Sequence, residues 1–172
     1  FESSSPQVIL ITGTPGTGKS TIMKRFSTTC SGGVKCLNVS DLIKKEGLHS
    51  GYDSEFDTFI VNDRKVRRRL EQLIPELKSK SKIILIESHS CGIFERPEGL
   101  RDLITSVLVL KCTTEALYDR LEARGYASNK ISENVSCEIM RVCADEAAEI
   151  FASRIPVVEM DNSSEGDSEV IL

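Results

Sequence analysis

The segment that most constrains the fold is GTPGTGKST at residues 13–21, which directly follows the apolar run QVILIT at residues 7–12. It fits the pattern G-x-x-x-x-G-K-[ST], in which a buried strand ends in a glycine-rich bend and a helix begins. Gly13, Gly16 and Gly18 permit backbone angles and close approaches that a Cβ atom would block, so successive amides can turn inward around phosphate oxygens. The segment therefore predicts an α/β fold with a phosphate site at the end of its first strand.

The polar residues of this segment each have an expected role. Lys19 supplies a compact charge to the β- and γ-phosphates, Ser20 supplies a hydroxyl ligand to Mg²⁺, and Thr21 can donate to the α-phosphate. The helix that begins here adds its positive N-terminal end. The alternative is a glycine-rich turn that only connects strand and helix, but the pattern favours ATP or GTP with Mg²⁺ as the ligand.

Apolar runs bounded by turn residues alternate with segments of helical period, which is typical of a parallel sheet covered by helices. The sequence predicts strands at 7–12, 35–39, 82–87, 106–111 and 156–160. It predicts helices at 18–30, 41–46, 63–78, 114–124 and 133–153. Near-continuous Ile, Leu and Val in the first, third and fourth strands indicate burial on both faces. We expect one α/β domain over residues 1–172, with a five-stranded parallel sheet and polar excursions at 47–61 and 124–132.

The composition is that of a soluble chain of ordinary size. Its 172 residues include 26 acidic and 22 basic ones, for a net charge of −4, and this length allows a core without disulfides or metal. No apolar run approaches the roughly 20 residues that cross a bilayer, and residues 1–6 do not resemble a signal peptide. We therefore expect an intracellular protein with no membrane partner. The six cysteines form no Cys-x-x-Cys pair and are interpreted as buried thiols.

Two further groups of residues are candidates for the chemistry. The strand at 82–87 ends in Glu87, where phosphate-loop proteins place the acid that holds a water on Mg²⁺, and His89 follows on the same side of the chain. Arg120 and Arg124 share one face of a predicted helix and open a glycine-containing loop. Arginines on a mobile cover stabilise a transferring phosphoryl group. The alternatives are a surface acid, a polar loop histidine, and arginines that only interact with the helix dipole.

The rest of the sequence narrows the class of protein. Small GTPases need a guanine-reading N-K-x-D motif, and the nearest string, NKIS at 129–132, lacks the final aspartate. Hexameric ATPases need a helical second domain, for which 172 residues leave no room. A small nucleotide kinase, or an ATPase built on the same frame, remains.

Several motifs together resemble the adenylate kinase isoenzyme 6 family, also called the coilin-interacting nuclear ATPase family, whose fungal relative acts in small-subunit ribosome maturation. The motifs are ITGTPGTGKST (11–21), NVSDL (38–42), GYDSEFD (51–57), ESH (87–89), RLEARGY (120–126) and ENVSCEI (133–139). They occur in the order and spacing of that family over residues 7–161.

The resemblance implies a nucleoside monophosphate kinase-like fold with a monophosphate-binding arm at 38–61 and a short lid at 123–133. It implies transfer of a phosphoryl group from Mg-ATP to AMP, together with ATPase activity. By position, the residues that bind ATP are Gly16, Thr17, Gly18, Lys19, Ser20, Thr21 and, from the lid, Arg124. The resemblance also implies a nuclear and cytoplasmic monomer that contacts ribosomal protein uS11 and pre-ribosomal RNA.

Departures from the family pattern leave open the rate of kinase turnover and the identity of the phosphate acceptor. Glu87 stands where the family usually carries Asp, and the added methylene moves the carboxylate by about 1.3 Å. Lys44 stands where an arginine is common, and a lysine cannot grip a phosphate with two parallel bonds. Arg141 falls where broader nucleoside monophosphate kinases place a phosphate-binding arginine.

The predicted helix at 63–78 carries five cations within residues 64–69. They form either a solvated helix face or a surface for RNA or an acidic protein.

The motifs and the resemblance together leave two hypotheses for the function of the whole chain. It is either an Mg-ATP:AMP phosphotransferase or an ATP-driven assembly factor with little kinase activity.

Overall fold

A computed structural model of the protein describes residues 5–29, 33–55, 58–96 and 98–164. The strands in these ranges are β1 (Gln7–Thr12), β2 (Val34–Asn38), β3 (His49–Asp53), β4 (Thr58–Val61), β5 (Ile83–Glu87), β6 (Ser106–Lys111) and β7 (Val157–Asp161). The helices are α1 (Lys19–Thr29), α2 (Val39–Glu46), α3 (Asp63–Lys78), α4 (Glu98–Arg101), α5 (Thr114–Ala123), α6 (Ser128–Ile139) and α7 (Val142–Phe151), with a 3₁₀ turn at Gly92–Phe94.

Five strands form one parallel sheet in the order β2-β5-β1-β6-β7, which confirms the predicted sheet. The central strand β1 is buried on both faces, as its continuous apolar run requires. Because the strands are parallel, their carboxyl ends meet at one edge. At that edge, Ile11 of β1 and Asn38 of β2 both pair with Glu87 of β5. The phosphate loop and the candidate metal acid are therefore neighbours.

Helix α3 covers one face of the sheet with an apolar stripe. Val66, Leu70 and Ile74 are fully buried in the main core, because positions three to four apart lie on one side of a helix. Asn62 caps the helix by accepting from the backbone N–H of Lys65. The stripe thus fixes which face of α3 meets solvent.

The cations of α3 do not behave as one group. The guanidinium of Arg67 donates to the carbonyls of Gly92 and Ile93, and that of Arg69 donates to Glu46. The remaining three are exposed: Arg64, Lys65 and Arg68. The basic face available to a partner is therefore smaller than the sequence predicts.

Three of the predicted segments are wrong in detail. The excursion at 47–61 contains an antiparallel hairpin of β3 and β4, and residues 56 and 57 of it lie outside the described ranges. The helix predicted at 133–153 is two helices, because Arg141 adopts a left-handed φ of 57° between α6 and α7. Helix α6 also begins at Ser128, inside the segment predicted to be a loop.

The interpretation of the cysteines as buried thiols is only partly right. Cys91 and Cys112 are buried, but Cys36 is exposed because β2 is an edge strand of the sheet. Cys137 and Cys143 are half-buried, and Cys30 lies outside the described residues. Among the helices that the structure describes, none has the length and apolar character needed to cross a membrane.

Candidate active site

The bend between β1 and α1 has the backbone that the glycine pattern predicts. Gly13, Gly16 and Gly18 have φ values of 140°, 102° and 97°, a region that residues with a Cβ rarely occupy. Space is also limiting, since a Cβ on Gly16 would lie 2.7 Å from Cδ1 of Leu117 and one on Gly13 would collide with the carbonyl of Leu110. The glycines therefore allow the loop to pack against β6 and α5.

Lys19 begins α1 and points back into the loop. Its ammonium donates to the carbonyl oxygens of Gly13 at 2.6 Å and Thr14 at 3.0 Å, and the residue is 7% exposed. Burial lowers the pKa of the ammonium, while the charge of Glu87 opposes that shift. A cation held in this position is available to phosphate oxygens that enter the bend.

Ser20 and Glu87, the predicted metal pair, are in direct contact. The hydroxyl of Ser20 lies 2.9 Å and 3.0 Å from the two carboxylate oxygens of Glu87, and the amide nitrogen of Asn38 donates to the same carboxylate at 2.8 Å. A hydroxyl and a carboxylate are the hard oxygen donors that Mg²⁺ accepts. The donor set therefore fits Mg²⁺ with ATP, and the longer side chain of Glu87 still reaches Ser20.

The two predicted lid arginines are in different environments. Arg124 caps the C-terminal end of α5 and lines the cavity above the loop. The guanidinium of Arg120 instead donates to the carbonyls of Asn162 at 2.8 Å, Ser163 at 3.1 Å and Gly16 at 3.4 Å. Arg120 thus needs correction as a catalytic candidate, because its guanidinium is engaged by backbone carbonyls and the residue does not line the cavity.

A cavity of about 570 Å³ lies over the loop and joins most of the predicted site residues. One end is formed by the loop and by Arg124, and the other by α2 and the β3–β4 hairpin. The predicted residues that line it are Gly16, Gly18, Lys19, Ser20, Thr21, Lys44, Glu87, His89 and Arg124. Gly13 and Thr17 belong to the loop but do not line the cavity, since Thr17 is fully buried and its hydroxyl donates to the carbonyl of Thr14.

Aromatic side chains of the hairpin form a wall that the sequence analysis missed. Tyr52 and Phe59 both line the cavity, their ring centroids lie 5.4 Å apart, and His49 packs on Phe59 at 4.3 Å. The short run TFIV at 58–61, made of β-branched and aromatic residues, was the available signal for this hairpin. Flat aromatic surfaces of this kind are suited to stacking on a nucleobase.

His89 lies beyond Glu87, is exposed at the surface and lines the cavity. Desolvation by neighbouring protein atoms lowers the pKa of the imidazole, and the positive charge of Lys19 lowers it further. The loop that carries His89 is held by Glu146 of α7, which accepts from the hydroxyl of Ser90 and the N–H groups of Cys91 and Gly92. The sequence gives no signal for this contact.

Arg141 does not reach the cavity over the loop. Its guanidinium donates to Glu159 of β7 at 2.7 Å, and the residue lines a second cavity of about 340 Å³. The structure therefore does not bring this arginine to the phosphate loop.

A strand, a glycine-rich bend and a helix bring Lys19 and the Ser20–Glu87 pair to the cavity, and together they define the site of a P-loop enzyme. The family model described as AAA domain (AAA_18) matches residues 9–141. In its fold the chain is similar to shikimate kinase from Bacteroides thetaiotaomicron, with a TM-score of 0.56, 12% identity and coverage of 95% of this chain and 92% of that one. The protein is thus an enzyme of the nucleotide kinase and ATPase class.

Curated relatives narrow this class. The adenylate kinase isoenzyme 6 homolog of Schizosaccharomyces pombe is 38% identical over 156 residues, 91% of this chain and 82% of that protein. The adenylate kinase isoenzyme 6 homolog FAP7 of Saccharomyces cerevisiae is 37% identical over 92% of this chain and 75% of its own length. The chain belongs to the adenylate kinase isoenzyme 6 family, as its motifs indicate.

Proposed function

We propose that the protein is an adenylate kinase that transfers the γ-phosphoryl group of Mg-ATP to AMP and also hydrolyses ATP. Family membership supports this reaction, and one observation carries it. The cavity continues past the phosphate loop to Ser40, Lys44, Tyr52 and Phe59. An enzyme that only hydrolyses ATP needs no such extension, whereas a kinase needs room for a second nucleotide beside the first.

At the donor end, the chain binds and orients the triphosphate. The amides of the loop and the N-terminal end of α1 hold the phosphate oxygens. Lys19 exchanges its two carbonyl partners for the β- and γ-phosphates, and its buried position keeps water from screening that charge. Ser20 and Glu87 would hold Mg²⁺, which neutralises phosphate charge when it is bound with ATP.

At the acceptor end, the hairpin and α2 receive the monophosphate. Lys44 offers a cation to its phosphate, and the aromatic pair Tyr52 and Phe59 offers a surface for its base. Arg124 lies over the loop, where a guanidinium stabilises the charge that develops on the transferring group. Closing this arm and the lid over both nucleotides excludes water, which favours transfer to AMP over hydrolysis.

A nucleotide panel tests the proposal. The purified chain is given Mg-ATP with AMP, CMP, UMP, GMP or dAMP in turn, and the rate without acceptor is the baseline. ADP formation should rise most with AMP and should be lost in Lys19→Ala. ADP production that no monophosphate changes would contradict phosphoryl transfer and leave an ATPase.

We also propose a second role, in small-subunit ribosome maturation in the nucleus and cytoplasm, in which the chain acts as a monomer. It would bind and release ribosomal protein uS11 or pre-ribosomal RNA as ATP is bound and hydrolysed. The exposed cations Arg64, Lys65 and Arg68 on α3 favour an acidic partner. Capture of uS11 should depend on ATP, and RNA binding through this face should weaken steeply with salt. Capture that is indifferent to nucleotide, with a flat salt dependence, would refute this role.

A further inference from the structure

Thr14 makes a contact that phosphate binding does not require. It occupies a position that the loop pattern leaves open, it is 1% exposed, and its hydroxyl donates to Glu138 near the end of α6. The other carboxylate oxygen of Glu138 accepts from the backbone N–H of Cys112 at 3.0 Å, just after β6. One carboxylate therefore joins the loops that follow two adjacent strands, β1 and β6.

The same helix reaches the nucleotide cavity at its opposite end. Lys130, in the first turn of α6, lines that cavity, and its ammonium lies 4.6 Å from the ring centroid of Tyr126. Eight positions separate Lys130 from Glu138, which corresponds to about 12 Å along a helix. Lys130, which lines the nucleotide cavity, and Glu138, which contacts the phosphate loop, thus belong to the same helix.

The end of α6 that carries Glu138 is also fixed to the rest of the fold. Arg141, in the left-handed conformation, follows closely and donates to Glu159 of β7 at 2.7 Å. A strained conformation of this kind persists where tertiary contacts hold it. If α6 moved, these contacts would make it pivot about the end at Glu138, and the end at Lys130 would move most.

We propose that Glu138 is a positioning residue, which fastens α6 and the lid that it carries to the phosphate loop through the hydroxyl of Thr14. Glu138 does not line the cavity over the loop. It holds the loop backbone in its binding shape and sets where the lid residues stand, so that the loop and the lid respond to ATP as one unit. This inference deepens the proposed function and depends on it.

A double-mutant cycle tests the coupling. Thr14→Val removes the hydroxyl with little change of volume, Thr14→Ser keeps it, and Glu138→Gln removes the charge. We expect Thr14→Val and Glu138→Gln each to weaken ATP binding about tenfold by calorimetry, as loss of a charge-assisted hydrogen bond does. The double variant should be no weaker than the worse single one, because both changes break one interaction. Thr14→Ser should bind ATP within about threefold of the unchanged protein.

Hydrogen exchange separates positioning from simple stabilisation. At saturating ATP, residues 124–139 should gain protection in the unchanged chain and in Thr14→Ser, but gain much less in Thr14→Val. Glu149→Ala, an exposed acid on α7, is the matched control and should behave like the unchanged chain. Equal ATP affinity and equal protection in Thr14→Val and Glu138→Gln, or additive effects in the double variant, would overturn the inference. Absence of ATP binding by the unchanged chain would instead refute the proposed function itself.

Discussion

Arg120 and Arg124 are four residues apart, and the structure predicts different consequences when each is replaced by methionine. Replacement of Arg120 should lower thermal stability, and replacement of Arg124 should lower catalytic turnover. The guanidinium of Arg120 donates hydrogen bonds to three backbone carbonyls, at 2.8, 3.1 and 3.4 Å. Methionine keeps most of the alkyl chain and leaves these carbonyls without their charged donor. Hydrogen bonds to charged groups contribute about 1.5–3 kcal/mol, and a chain of this size loses about 2–4 °C of Tm per kcal/mol. We therefore expect Arg120→Met to lower Tm by about 3–12 °C.

Arg124→Met should leave the fold intact and impair the chemistry. Its side chain is exposed over the cavity, so the free energy of unfolding should change by less than about 0.5 kcal/mol. Removing a group that stabilises charge in the transition state typically costs about a hundredfold or more in kcat. Thermal melts and steady-state ADP formation, measured on both variants and the unchanged chain, separate the two effects.

Either of two outcomes would refute the roles assigned to this pair. If Arg120→Met melted like the unchanged chain but lost turnover, its guanidinium would be acting on the nucleotide. If Arg124→Met lost several degrees of Tm and kept its kcat, the arginine over the cavity would be structural.

Three further predictions follow from the site and the core. Gly16→Ala should lose ATP binding, since its Cβ would lie 2.7 Å from Leu117 in a left-handed backbone; ATP affinity equal to that of the unchanged chain would contradict the close packing. His89→Gly should reduce kcat for ATP turnover more than it raises the Kd for ATP, and unchanged turnover would make it a structural loop residue. Burial raises the pKa of Cys91 to about 12 and of Cys112 to about 11, so at pH 8 both should resist alkylation in the native protein. Mass spectrometry that found either of them modified before the protein unfolds would contradict their burial.

The sheet and the loop were predictable because their signals are local. The continuous apolar run of β1 indicates burial on both faces, and the loop needs its glycines at fixed positions. The hairpin of β3 and β4 was missed because its residues alternate between half-buried and exposed and it contributes little to the core. Its aromatic wall of Tyr52 and Phe59 was missed for the same reason.

Contacts distant in sequence account for the remaining differences. Helical spacing predicts which face Arg120 occupies, but its partners Asn162 and Ser163 are more than 40 residues away in the chain. The break between α6 and α7 falls at Arg141, a residue that gives no local signal for a left-handed backbone. The bond from Thr14 to Glu138 spans 124 positions, and neither residue carries a motif that reveals it.

Calorimetric titration of the chain with Mg-ATP, beside Lys19→Ala, tests most directly whether the bend at residues 13–20 binds a triphosphate. We expect the unchanged chain to bind one ATP per chain, and Lys19→Ala to lose this binding while circular dichroism and Tm show that it is still folded. Absence of heat from the unchanged chain, or equal affinity in a folded Lys19→Ala, would contradict the account.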